Sequence, residues 1–193
     1  MNLARCFMML LICTGLAGCA HTAPPEQVVA EKVILPSLPL LTPASALSTF
    51  SASQTLTFTS EGQTHQLEAL LEWDSDAIHL AMLKFGKRIL TATYDGVKLD
   101  VQKDAFVPDA LRGEQVLGDI QLVYWPAEAL RTHLPPGYVL NDEGDLRTLS
   151  YLGQNVYRIV YHADGRADVA RENNVRLTKS IYGYEMTIVS NSN

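Results

Sequence analysis

The sequence predicts a mainly β, α+β domain: a curled antiparallel half-barrel with short helices covering its hydrophobic concavity. Three observations predict it. From Phe50 onward, apolar and polar residues alternate with a period of two in short runs separated by turn residues. One stretch in mid-chain, Glu114 to Leu134, breaks that pattern with apolar residues at helical spacing. The alternating runs number roughly nine, an antiparallel sheet long enough to curl on itself, and helices inserted mid-chain can cover its open mouth.

The first element, residues 1–18, reads as an address and not as structure. Arg5 supplies a basic start, and Cys6 to Leu16 is an apolar stretch too short to span a bilayer as a stable helix. Leu16-Ala17-Gly18-Cys19 resembles a lipobox. The resemblance implies cleavage before Cys19, a diacylglycerol on its thiol and an acyl group on its new amino terminus. Ala20, where an inner-membrane lipoprotein would carry Asp, is similar to the outer-membrane sorting pattern of Gram-negative lipoproteins. Several acyl chains on one cysteine anchor stably, each buried methylene contributing about 0.8 kcal/mol. The alternative is an ordinary secretory signal cut elsewhere, or an uncleaved anchor.

Residues 19–48 follow as the lipidated cysteine and a tether. They hold five of the nine prolines, Pro24, Pro25, Pro36, Pro39 and Pro43, and proline-rich sequence stays extended at about 3.1 Å per residue. Val33 to Leu41 is too apolar for a free linker, and two readings fit it: packing along the domain, or a path near the membrane.

The half-barrel domain is expected over residues 49–193. Leu56 and Phe58 alternate with Thr55, Thr57 and Thr59; Glu61-Gly62 turns the chain; Leu67, Ala69, Leu71 and Trp73 then share one face. Asp74-Ser75-Asp76 leads to Ile78, Leu80 and Met82, Phe85-Gly86-Lys87 to Ile89 through Tyr94, and Asp95-Gly96, a strong hairpin signal, to Val97, Leu99 and Val101. Glu114 to Trp125 is predicted as a helix through Val116, Leu117, Ile120, Val123 and Tyr124. Pro126 closes it and suits the first turn of a second helix, Ala127 to Leu134, which Pro135-Pro136-Gly137 stops. Strands resume at Leu146–Leu152, Val156–His162, Val175–Lys179 and Tyr182–Val189.

Composition narrows the function classes. With residues 1–18 removed, 14 basic side chains face 21 acidic ones, a formal net charge of −7, which argues against a nucleic-acid partner. Cys6 and Cys13 leave with the signal and Cys19 is consumed by lipid, so no intramolecular disulfide is available and the core alone must hold the fold. Enzyme chemistry finds no foothold. His65, His79, His133 and His162 are scattered, with no His-Glu-x-x-His pair and no cysteine cluster for zinc; no Gly-x-Ser-x-Gly elbow or phosphate-cradling loop is present. Asp74/Asp76 and Asp142/Glu143/Asp145 fall where turns belong and read as solvated turn residues. No catalytic residue, metal or cofactor is therefore expected.

The segments Leu83-Lys84-Phe85-Gly86-Lys87-Arg88-Ile89-Leu90, Tyr94-Asp95-Gly96, Leu122 through Leu130 and Leu134-Pro135-Pro136-Gly137, together with the lipobox, carry a family resemblance. The chain resembles the LolA/LolB-like lipoprotein carriers and receptors, and within them looks closest to outer-membrane lipoproteins encoded with aryl-polyene biosynthesis clusters. The resemblance implies an outer-membrane anchor facing the periplasm, a lipid, lipoprotein or polyene ligand, and a LolA-like periplasmic carrier as donor. A monomer is expected. Cavity-facing candidates are Trp73, Leu80, Met82, Tyr94, Ile120, Tyr124, Trp125, Leu130, Tyr182, Tyr184 and Met186, all of which core packing would explain equally. Lys84, Phe85, Lys87 and Arg88 stand where the receptor of that family has an apolar membrane loop; an ordinary basic hairpin with Phe85 turned inward is the other reading. The competing function is a non-catalytic scaffold of an envelope biosynthesis or export assembly. An open cavity would favour the carrier, a packed interior the scaffold.

Overall fold

The computed structural model describes residues 35–60, 62–107, 111–161, 174–180 and 184–192. The signal segment, Cys19, the first part of the tether, His162 and Tyr182 lie outside the described residues. The strands are β1 (Phe50–Ser60), β2 (Gln63–Trp73), β3 (Ile78–Lys84), β4 (Lys87–Tyr94), β5 (Leu99–Lys103), β6 (Tyr138–Glu143), β7 (Leu146–Tyr151), β8 (Gln154–Tyr161), β9 (Asn174–Lys179) and β10 (Tyr184–Ser192). They form one sheet in the order β5-β4-β3-β2-β1-β10-β9-β8-β7-β6, antiparallel throughout. The chain thus makes two meanders that meet where β1 pairs with β10, and β5 and β6 are left as the two edges of an open sheet.

Helices α1 (Gly113–Tyr124) and α2 (Ala127–Arg131) cover one face. Helix α1 packs on β4 and also accepts hydrogen bonds from Arg147 on β7 and Tyr161 on β8. Six strand steps separate β4 from β8, about 29 Å in a flat sheet, whereas a 12-residue helix is about 18 Å long. The sheet meets the helix from both flanks because it curls around it. Inward residues follow the period of two: Leu67, Ala69, Leu71 and Trp73 on β2, Ile78, Leu80 and Met82 on β3, Val175 and Leu177 on β9 are all buried.

Three expectations change. Strand β6 adds a tenth strand: Tyr138 and Leu140 point inward, but the polar run Asn141-Asp142-Glu143 hides the alternation in the sequence. Helix α2 ends at Arg131 and not at Leu134, because Thr132 and His133 form a turn ahead of the two prolines. The largest change concerns the tether, expected to end at residue 48. From Leu35 onward it packs against the domain, with Leu41, Pro43 and Ala46 buried and Leu35, Leu38 and Leu40 against the core.

Candidate functional site

The proline-interrupted segment from Leu35 to Ser48 crosses the concave face as a strap. Pro36, Pro39 and Pro43 have no N–H to give a strand ladder, so side chains of the domain hold its backbone instead. Tyr138 Oη donates to the carbonyl of Pro36 (2.8 Å) and Tyr94 Oη to that of Leu40 (3.3 Å). Gln121, 1% exposed, makes both available bonds to Leu41: its Nε2 donates to the carbonyl (2.7 Å) and its Oε1 accepts from the N–H (2.9 Å). Farther along, Trp125 Nε1 donates to Ser45 Oγ and Trp73 Nε1 to the carbonyl of Ser48, each at 2.9 Å. The strap's leucines Leu35, Leu38, Leu40 and Leu41 pack against the core.

Most cavity candidates form the packed interior beneath strap and helices. Trp73, Leu80, Met82, Tyr94, Trp125 and Leu130 are buried in one cluster, and Ile120, Tyr124, Tyr184 and Met186 pack partly exposed against it. Trp73 stacks on Phe50 (4.3 Å between centroids) and touches Trp125 (5.1 Å) and Tyr124 (5.3 Å). Gln54, also buried, donates to Tyr124 Oη at 2.6 Å and Ser190 Oγ at 3.0 Å. Burial raises the pKa of the Tyr94 and Tyr184 hydroxyls, so both stay protonated as donors. Two small cavities lie among the described residues. One of about 80 Å³ lies between Leu35–Leu38, the start of α1 and Tyr157; one of about 10 Å³ lies between Leu38–Leu41 and Leu130–Leu134. Both are well below a small-molecule site of about 300–1,000 Å³.

Helix α1 is fixed on one flank by charged groups. Arg147 Nη1 donates to the carbonyls of Leu122 (2.8 Å), Val123 (3.3 Å) and Trp125 (2.9 Å), and its Nη2 pairs with Asp142 at 2.7 Å. These carbonyls lack helical partners at a C-terminus, where a cation is also favoured by the helix dipole. Tyr161 Oη donates to Val123 at 2.7 Å. On the same flank Asp119 accepts from Tyr157 Oη (2.8 Å) and Lys179 Nζ (3.4 Å). Burial pushes the Asp119 carboxyl up, against the pull of Lys179 and Tyr157, and pushes the Lys179 ammonium down. Arg147 is in phase with buried Leu149, and Lys179 with Val175 and Leu177, yet no sequence motif marks either cation. Asp142, read as a solvated turn residue, sits in β6 with its side chain 15% exposed because Arg147 claims it. Asp74 and Asp95 do serve turns, accepting the N–H groups two and three residues on, which lowers both carboxyls.

Phe85 points outward, 97% exposed, with Lys84, Lys87 and Arg88 around it; Lys84 and Lys87 lie near the rings of Phe85 and Phe106. Among the described residues His65 packs on Phe58, His79 on Thr93, and His133 on Thr132 and the Ala129 carbonyl, so these three histidines have separate partners. Among the described residues, no group of His, Cys, Asp and Glu is arranged to hold a metal, and no helix is long and apolar enough to cross a membrane.

The fold and the covered face define the class: an open, curled antiparallel sheet closed over by a helix pair and an N-terminal strap. The chain belongs to the family described as protein of unknown function (DUF3261), whose model matches residues 51–192. A LolA superfamily protein, NE2245 from Nitrosomonas europaea, is similar in structure at a TM-score of 0.44 and 8% identity, over 77% of this chain and 89% of that one. No curated protein matches the sequence.

Proposed function

We propose that the protein is an outer-membrane-anchored lipoprotein, acylated at Cys19, that binds a hydrophobic ligand or lipidated cargo and assists its transfer into the outer membrane. The observation that carries this reading is the strap: aliphatic side chains on a backbone held mainly by side-chain hydrogen bonds, covering the concave face of an open sheet. An acyl or polyene chain offers the same aliphatic surface and needs none of those bonds, so it can replace the strap in the groove. The protein works by affinity and not by chemistry, as a monomer, receiving cargo from a LolA-like carrier in the periplasm. The aryl-polyene association rests on sequence resemblance alone. The small cavities support a second reading, a scaffold with a filled core within an envelope biosynthesis or export assembly.

Native mass spectrometry with lipid extraction, on residues 19–193 purified from the periplasm as Cys19→Ser, tests the ligand. The strap must be kept, because a cut at Ser48 would strip Leu41 and Ala46 from the core. A stoichiometric lipid, lipopeptide or polyene is expected. A clean protein mass, with no uptake of added phosphatidylethanolamine or palmitate, would leave the scaffold. The mass of the wild-type chain from membranes reads the acyl groups on Cys19 separately.

A further inference from the structure

The strap shows by its own seating what the concave face recognises. Five buried side chains from separate elements converge on it: Trp73 on β2, Tyr94 on β4, Gln121 in α1, Trp125 just after that helix and Tyr138 on β6. Four of them aim a donor at a peptide carbonyl, Tyr138 at Pro36, Tyr94 at Leu40, Gln121 at Leu41 and Trp73 at Ser48, while Trp125 donates to Ser45 Oγ. Gln121 also accepts the N–H of Leu41, so it reads one residue's backbone in both directions. Thr42 holds φ −61° and ψ 146°, in the polyproline II region, and Pro36 and Pro39 suit the same extended form. An aromatic-lined groove holding a proline-containing extended chain is a recurrent mode of peptide recognition between proteins.

The same donors discriminate against a plain hydrocarbon. For Gln121, Trp73 Nε1 and Trp125 Nε1, the polar partners among the described residues are all strap atoms. An acyl chain covers aliphatic surface but gives these groups nothing to bond, and a buried donor or acceptor left unmade costs more than the bond itself contributes. A peptide of the strap's kind satisfies both requirements. The strap fills its seat incompletely, since both small cavities border Leu38, whereas protein interiors are close-packed.

From these we infer that the concave face is a peptide-binding groove that takes, in trans, an extended, leucine-rich, proline-interrupted segment of a partner protein, with the strap as its intramolecular competitor. Held without a strand ladder and loosely packed around Leu38, the strap is the layer that exchanges. The inference rests on the displaceable strap of the proposed function and narrows the cargo there: a lipidated protein is read through its peptide backbone, and a free lipid is not. The chain's own tether is the pattern for such a segment, since it follows Cys19.

The test uses residues 19–193 as Cys19→Ser and a fluorescein-labelled, end-blocked peptide with the sequence of residues 35–48. The strap competes from within the same chain, so this protein is expected to bind the peptide weakly in fluorescence anisotropy. Adding Leu41→Asn loosens the strap and should tighten binding about tenfold or more. Leu38→Asn, at a half-buried position, does the same more gently should Leu41→Asn fail to fold in thermal melts. A peptide N-methylated at the residue matching Leu41 keeps every side chain and loses the N–H that Gln121 accepts, and its affinity should fall about tenfold or more. That pair of peptides is also compared on the chain with its native strap, at higher concentration. No saturable binding, or equal affinity for the methylated and parent peptides, overturns the inference. Dimers formed by strap exchange, seen in native mass spectra, would make a second copy the occupant and overturn the partner. Palmitate uptake without peptide binding would overturn this inference and leave the proposed function standing, and absence of both would overturn the proposed function itself.

Discussion

Strands β2 to β4 meet helix α1 and the strap through aliphatic and aromatic side chains, Leu71, Trp73, Ile78, Leu80, Leu90 and Tyr94, whereas β7 to β9 reach the same helix with Arg147, Tyr157, Tyr161 and Lys179. Apolar packing is non-directional and tolerates sliding; buried ion pairs tolerate none, because a displaced partner leaves a charge without compensation. The difference assigns the flanks distinct mechanical roles. The charged flank is therefore expected to hold the helix in register more strictly than the apolar flank, where the strap also lies.

Breaking the charged flank should have the largest effect. Arg147→Ala takes the buried cation from Asp142 and the side-chain donor from the carbonyls of Leu122 and Trp125, while Val123 keeps Tyr161, and should cost about 3–5 kcal/mol in urea unfolding. Leu71→Ala, on the apolar flank at 1% exposure, should cost about 2–5 kcal/mol through the cavity it leaves, without altering how the helix is held. If hydrogen exchange in the amides of α1 accelerated more for Leu71→Ala than for Arg147→Ala, the division of roles would be wrong.

The Asp119–Lys179 pair sharpens the comparison through pH. Burial raises the Asp119 carboxyl, so the folded chain holds that proton to higher pH than the unfolded chain, and between the two pKa values stability falls as pH rises. Lys179→Met removes the cation that draws the carboxyl down and widens that window. The variant should lose about 2 kcal/mol near neutral pH and visibly less as the pH falls to the ordinary carboxylate value of 3.8 and below, where the carboxyl is increasingly protonated in both states. An equal loss at both values would mean that Lys179 does not compensate the Asp119 charge.

The two flanks were unequally legible in the sequence. Alternation in Leu67 to Trp73 and Ile78 to Met82 places the apolar flank directly, because periodic burial is a local signal. Arg147 and Lys179 obey the same alternation, but a cation at an inward position has meaning only once its partner is known, and Asp119 and Asp142 lie 60 and 5 residues away in the chain. The strap was half legible: the leucines of Val33 to Leu41 announced burial, which holds for Leu35, Leu38, Leu40 and Leu41, while the prolines between them suggested a tether. The outward direction of Phe85 was not legible, since it follows from the positive φ of a two-residue turn and not from composition.

That turn yields the smallest stability effect and the last test. Two central residues with positive φ are the pattern of a type I′ hairpin, which favours Asn-Gly and disfavours phenylalanine in the first place. Left-handed backbone costs an ordinary L-residue about 1–2 kcal/mol, a penalty that asparagine partly escapes. Phe85→Asn should therefore raise stability by up to about 1 kcal/mol in thermal or urea melts while removing the apolar tip. A more stable variant would show that the left-handed backbone at Phe85 costs the fold free energy. A variant no more stable than the wild type would show that the turn stores no strain.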